Sequence, residues 1–174
     1  MTRKKNVIGL VIFFLLLAFG GVSERFLDEN KQEVKGESLV AVERVIDGDT
    51  IVVGLSGKDE TVRLIGIDTP EIAHGNTKAE CFGQEAKRKT LETLSGKMVR
   101  LEDDESQSNR DKYGRLLRYV FLSDGTFVNQ LLIEEGFAFE YTYQLPYQYQ
   151  KEFKKAQAIA REEEKGLWFA DACH

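Results

Sequence analysis

LVAVERVIDGDTIVVGLSGKDETVRLIGIDTPE, residues 39–71, is the stretch whose reading decides the fold. Leu39-Val40-Ala41-Val42 runs into Val45-Ile46 as an extended apolar segment, interrupted by Asp47-Gly48-Asp49. Residues 50–55 are rich in β-branched side chains and end at Gly54-Leu55-Ser56-Gly57, a hairpin signal. Residues 61–67 alternate again, with Val62, Leu64 and Gly66 on one face and Arg63 and Ile65 on the other. Three strands in quick succession predict a meander.

Downstream, residues 81–94 read as a helix with Phe82, Ala86, Leu91 and Leu94 as its stripe and Gly96 as its stop. Residues 98–101 and 116–122 read as strands joined by a polar segment. Asp124-Gly125 is a turn, and Thr126 is placed to cap a second helix to about residue 135. Residues 139–143 are extended. Pro146 suits the first turn of a last helix whose one face holds Tyr149, Phe153, Ala156 and Ala160. The order predicts an α+β domain, mainly β: a five-stranded Greek-key barrel of the oligonucleotide-binding (OB) type with three helices.

The start of the chain differs. Arg3, Lys4 and Lys5 precede an uncharged apolar run from Val7 to Val22. Residues 1–22 therefore read as a signal peptide or an N-terminal membrane anchor, and 23–38 as a polar linker to a domain over 39–174. Ala18-Phe19-Gly20 offers a cleavage site, and no cysteine follows for lipid attachment. Either reading makes the domain secreted or cell-surface, with the membrane touched only through that segment.

Composition sets the remaining bounds. The 174 residues are 30% charged and 42% hydrophobic with only 2 prolines, which fits one folded domain and no long disordered tract. The net charge is −5, and removing the three basic residues at the front leaves −8. That excludes a globally basic binder of nucleic acid, so any phosphate would have to be met by a local basic cleft. The 2 cysteines, Cys81 and Cys173, are a disulfide in an exported chain, or two free thiols. A bridge would close a loop of about ninety residues and contribute on the order of 4 kcal/mol. His74 and His174 are isolated and have no zinc-ligand spacing with the cysteines.

Four short motifs carry chemistry. In Val45-Ile46-Asp47-Gly48-Asp49-Thr50 two carboxylates bracket a glycine, either as an acidic bulge or as oxygen ligands for a hard cation. Arg63 to Glu71 ends in Thr69-Pro70-Glu71, which suits a helix start, yet Asp68 closes one strand as Asp49 borders another. Two such acids can converge on one ion. Asp111-Lys112-Tyr113-Gly114-Arg115 is a charged turn or a phosphate contact. Tyr141-Thr142-Tyr143, followed by Tyr147 and Tyr149, supplies either packing or a surface on which bases stack.

Taken in order, VIDGDT, RLIGIDTPE, DKYGR, YTY and a closing GLW resemble the staphylococcal nuclease family from about Val40 to Trp168. The resemblance implies a calcium-dependent, low-specificity endonuclease of DNA and RNA that leaves 3′-phosphates. It implies calcium ligation by Asp49, Asp68 and the Thr69 carbonyl, with Asp47 behind them orienting metal-bound water. Glu71 would be the general base or water-positioning carboxylate, and Arg63 and Arg115 would hold phosphate oxygens with their planar forks. Lys112, Tyr113 and Tyr141 match contacts to a terminal phosphate, and Tyr143 matches a stacking aromatic. A monomer acting on single-stranded or breathing nucleic acid is expected. The segment 72–80 and both cysteines depart from the best-known member. The competing reading is a non-catalytic nucleic-acid-binding OB-fold module, which would leave the full set of acids and arginines without a purpose.

Overall fold

The computed structural model describes residues 38–173 apart from 74, 76 and 77. Residues 1–22, expected to be a signal peptide or anchor, the expected linker up to residue 37, His74 and His174 lie outside the described residues.

Strand β1 (Val40–Val45) buries Val40, Val42 and Val45, a spacing that strict alternation does not allow. The register slips between Val42 and Arg44, and this bulge turns Val45 back to the core. Strand β2 (Thr50–Leu55) pairs with β1 and then with β3 (Lys58–Leu64) through a two-residue turn. Ser56 (φ 52°) and Gly57 (φ 77°) are both left-handed, which matches the twist of a tight hairpin. The meander is therefore present.

The expected strand over 61–67 is broken. Gly66 turns the chain at φ 77°, and a two-residue strand β4 (Ile67–Asp68) follows it. A Cβ at Gly66 would lie 2.6 Å from the Tyr147 ring, so the bend needs glycine twice over.

Helix α1 (Gly83–Leu94) leads to β5 (Met98–Glu102), and β6 (Leu116–Leu122) follows. The sheet closes in the order β1-β2-β3-β6-β5 and back to β1, with β3 and β6 parallel and all other pairs antiparallel. This is the five-stranded barrel with three helices that the element order predicts. The others are α2 (Val128–Glu134) and α3 (Gln150–Glu162), and β7 (Phe139–Glu140) between them pairs with β4. A 3₁₀ turn, Gly166–Trp168, ends the described helical structure.

Three local expectations are corrected. α1 buries Gly83, Ala86, Thr90 and Leu94, while Leu91 is exposed. Thr90 takes the inward place because its hydroxyl donates to the Gly48 carbonyl at 2.6 Å. Thr126 does not cap α2: Phe127 is the N-cap, and the Thr126 carbonyl accepts from Leu122 N in the turn before it. Pro146 does not open α3, which starts four residues later; its carbonyl accepts from Ser106 Oγ at 3.1 Å. Phe153, Ala156 and Ala160 do face inward, as their spacing requires.

Phe153 joins Tyr119, Phe127 and Tyr149 in an aromatic cluster that seats α3 on the barrel. The buried side chain of Asn129 accepts from Val120 N and donates to the Ile65 carbonyl, both at 2.9 Å. It ties α2 to β6 and to the β3–β4 bend.

Candidate active site

The β1–β2 turn, the β3–β4 bend, the loop before β6 and the segment after β7 meet at one cleft of about 490 Å³. Asp47, Asp49, Arg63, Asp68, Glu71, Lys112, Tyr113, Arg115, Tyr141 and Tyr143 all line it. Thr69 is buried beneath it. The cleft therefore gathers residues from four separate motifs.

Its floor is a network around Asp49, which is buried. Asp49 Oδ2 accepts from Thr69 N at 3.0 Å and Thr69 Oγ1 at 3.3 Å, and Oδ1 accepts from Thr50 Oγ1 at 2.9 Å. Gly48 has no room for a side chain, because a Cβ would sit 2.6 Å from Thr69 Oγ1. The Asp49 amide donates to Asp47 Oδ1 at 3.2 Å.

Arg63 crosses this floor from β3. Its Nη1 donates to the Leu64 and Ile67 carbonyls at 2.8 and 2.7 Å. Its Nη2 lies 2.8 Å from Asp68 Oδ1 and 3.0 Å from Asp49 Oδ2. One nitrogen thus serves oxygens from both acids, so the two carboxylates converge on a common positive charge.

The surrounding acids feel one another. Burial, with repulsion from Asp49 next, pushes Asp47 up to about 6. Burial also raises Asp68; Asp49, Glu71 and Glu80 add to that shift, and Arg63 opposes it. Carboxylate oxygens of this kind are the donors that a hard cation takes, and Arg63 is the positive charge they face among the described residues. Among the described residues no three such side chains are gathered into a metal cage, so the chain offers two converging carboxylates.

Opposite, Asp111 organises the loop before β6. Its Oδ1 accepts from Tyr113 N at 2.9 Å and Arg115 N at 3.0 Å, and Oδ2 pairs with Arg115 Nε at 2.7 Å. Partial burial works against the Asp111 charge, but these hydrogen bonds outweigh it and hold its carboxyl below the usual carboxylate range. The pair fixes the Nε edge of Arg115 and leaves the Nη donors outside it.

The 6 tyrosines divide into two groups. Tyr113, Tyr141 and Tyr143 are exposed on the cleft, whereas Tyr119 and Tyr147 are buried and Tyr149 is half-buried. Lys112 lies 4.9 Å from the Tyr113 ring centre and Arg115 lies 5.4 Å from it.

The sequence assigns no separate role to Asp111, Thr90 or Glu80, yet Asp111 and Glu80 hold cleft residues and Thr90 holds Gly48 between Asp47 and Asp49. An aspartate heading a glycine-containing turn, where its carboxylate can accept from the amide two residues on, is a usable signal for Asp111. Thr90 and Glu80 have none, since their partners are 42 and 9 residues away. Cys81 and Cys173 form a disulfide with Cα atoms 5.6 Å apart, outside the cleft lining.

Residues 61–170 match the family model of the staphylococcal nuclease homologues. The chain is 42% identical to the thermonuclease of Staphylococcus hyicus over 171 residues, covering 95% of this chain and 98% of that protein. It is 39% identical to the thermonuclease of Staphylococcus intermedius, covering 94% and 95%. It is 37% identical to endonuclease YncB of Bacillus subtilis (strain 168) over 130 residues, 74% of this chain and 61% of that one. With that match over most of its length, on a closed five-stranded barrel, the chain belongs to the staphylococcal nuclease family.

Proposed function

We propose that this chain is an exported, calcium-dependent nuclease that hydrolyses phosphodiester bonds in DNA and RNA with little sequence preference. The observation that carries the reading is the convergence of Asp49 and Asp68 on one positive charge in a cleft also lined by Glu71 and Arg115. The relatives' names, thermonuclease and endonuclease, support the same class of chemistry.

Asp49, Asp68 and the Thr69 carbonyl would hold the cation, with Asp47 orienting water beside it. A bound calcium supplies charge neutralisation at a phosphoryl oxygen and a water of lowered pKa. Glu71, exposed on the cleft, takes or directs the proton of the attacking water. Arg115, braced by Asp111, presents fixed donors to phosphate oxygens as charge grows on them. Arg63, beside the two acids, would likewise offer its guanidinium to a phosphate oxygen. Water forms a bond to phosphorus and the bond to the 5′ oxygen breaks, leaving a 3′-phosphate and a 5′-hydroxyl.

Tyr113, Tyr141 and Tyr143 offer exposed ring faces to bases and phosphates, which favours unpaired strands because only these expose the base face. The enzyme acts as a monomer.

The test is cleavage of single-stranded DNA and of RNA by the full chain with calcium, beside Glu71→Gln and Arg63→Ala. Loss of about 10²-fold or more in kcat for both variants supports the roles given. Nucleotide binding without cleavage by the wild type would instead favour a non-catalytic OB-fold module.

A further inference from the structure

Glu71 begins a loop that returns to it at Glu80. The two residues are clasped twice: Glu80 N donates to the Glu71 carbonyl at 2.8 Å, and Glu71 N donates to Glu80 Oε2 at 3.0 Å. Gly83 closes on the same carbonyl from the first turn of α1. A Cβ there would lie 2.5 Å from Glu71 O, so glycine alone permits that approach.

Glu71 and Glu80 are both exposed. Hydrogen bonds in such a place compete with water and hold little by themselves. The residue after Glu80, however, is Cys81, covalently bound to Cys173 beyond the 3₁₀ turn. Phe82 follows in a left-handed conformation (φ 72°), which costs energy for a bulky side chain and persists only where neighbours enforce it. Its ring lies 5.5 Å from that of Phe137. The clasp on Glu71 is thus backed by a covalent anchor, an aromatic contact and a glycine-only approach within residues 80–83.

We propose that Glu80 is a positioning residue for Glu71, and that the Cys81–Cys173 bridge keeps the clasp closed by anchoring the adjacent residue. The proposal rests on the reading of Glu71 as the carboxylate that handles the attacking water. A reacting group displaced by about 1 Å loses on the order of 10²-fold in rate, so a loose Glu71 backbone reads out in turnover before it reads out in binding.

The experiment compares Glu80→Ala, Glu80→Gln and the double variant Cys81→Ser/Cys173→Ser in the full chain, each alone and with Glu71→Gln. Turnover and KM are measured on a single-stranded oligodeoxynucleotide with calcium, and hydrogen exchange is followed at the Glu71 amide. Glu80→Ala and the double serine variant are expected to lower kcat by about tenfold or more with KM within about twofold. Glu80→Gln retains an acceptor oxygen and restores most of the rate. On the Glu71→Gln background the same changes cost nothing further, because there is no carboxylate left to position. Exchange at Glu71 quickens in the alanine and serine variants and not in Glu80→Gln.

Unchanged kcat and exchange would overturn the proposal, as would an equal loss on the Glu71→Gln background. If the double serine variant failed to fold, wild type reduced with dithiothreitol would supply the same comparison. If wild type did not cleave at all, the nuclease reading would fall, and exchange at Glu71 would by itself decide for or against the clasp.

Discussion

Arg63 and Asp49 form an ion pair of 3.0 Å in which the side chains are only 14% and 8% exposed. The same Arg63 nitrogen also reaches Asp68, so a single guanidinium neutralises both acids expected to hold a cation. The most charged part of the cleft floor is therefore held together by one shared positive charge.

Removing Arg63 should expose that arrangement. Without metal, Arg63→Ala leaves Asp49 buried and unpaired, at a cost of about 3 kcal/mol. Calcium, binding the folded state, should recover more stability in the variant than in wild type. Urea denaturation with chelator and with calcium measures both. A variant as stable as wild type in chelator would contradict the pairing.

Asp111 should act on turnover through Arg115. Asp111→Ala frees the Nε edge of Arg115 and both backbone amides it holds, and kcat/KM is expected to fall by about tenfold. Because the folded Asp111 pKa is depressed, this support is complete above its unfolded pKa and is lost only as pH falls through the folded value. The deficit of the variant should be flat from pH 6 to 9, on the order of that single factor. A deficit that changes across this range would point elsewhere.

Gly48 tests how tightly the floor is packed. An alanine there must displace Thr69, whose amide and hydroxyl hold Asp49. Gly48→Ala should destabilise by about 1–3 kcal/mol, as overpacking does, and weaken calcium binding in a direct titration. Wild-type affinity in that titration would show the turn to be roomier than described.

The barrel was legible because its strands announce themselves through β-branched alternation and a tight hairpin at Ser56-Gly57. The break at Gly66 was not, since Ile65-Gly66-Ile67 continues the alternation, and the close approach of the Tyr147 and Phe153 rings that requires glycine there exists only after folding. The start of α3 is not legible, because Pro146 suits a first helical turn, yet its carbonyl is engaged by Ser106 and the helix begins at Gln150. The cleft residues were legible as motifs, each ambiguous alone, and it is the barrel that gathers them. What sequence spacing does not reveal is support from afar: Thr90 holding Gly48, or Glu80 holding Glu71, depends on contacts that exist only after folding.

One wall of the cleft hangs on Asp104. Its carboxylate accepts from Tyr119 OH, Gln148 N, Ser106 N and Ser106 Oγ, all between 2.6 and 2.8 Å. Burial opposes the charge, but the hydrogen bonds prevail and lower the pKa. Its stabilisation is therefore present above the unfolded carboxyl pKa of about 3.9 and lost as pH falls through the lower folded value. Asp104→Asn should cost about 2 kcal/mol at pH 7, and the difference from wild type should shrink below about pH 4. Thermal midpoints across that range check it, and a constant gap would contradict it.

The central claim is tested most directly by the ends of the products. A single-stranded oligodeoxynucleotide is incubated with the full chain in calcium or in chelator, and the fragments are weighed by mass spectrometry. The account predicts fragments with 3′-phosphate and 5′-hydroxyl ends in calcium, and intact substrate in chelator. Fragments that persist in chelator, or that carry 5′-phosphates, would contradict it.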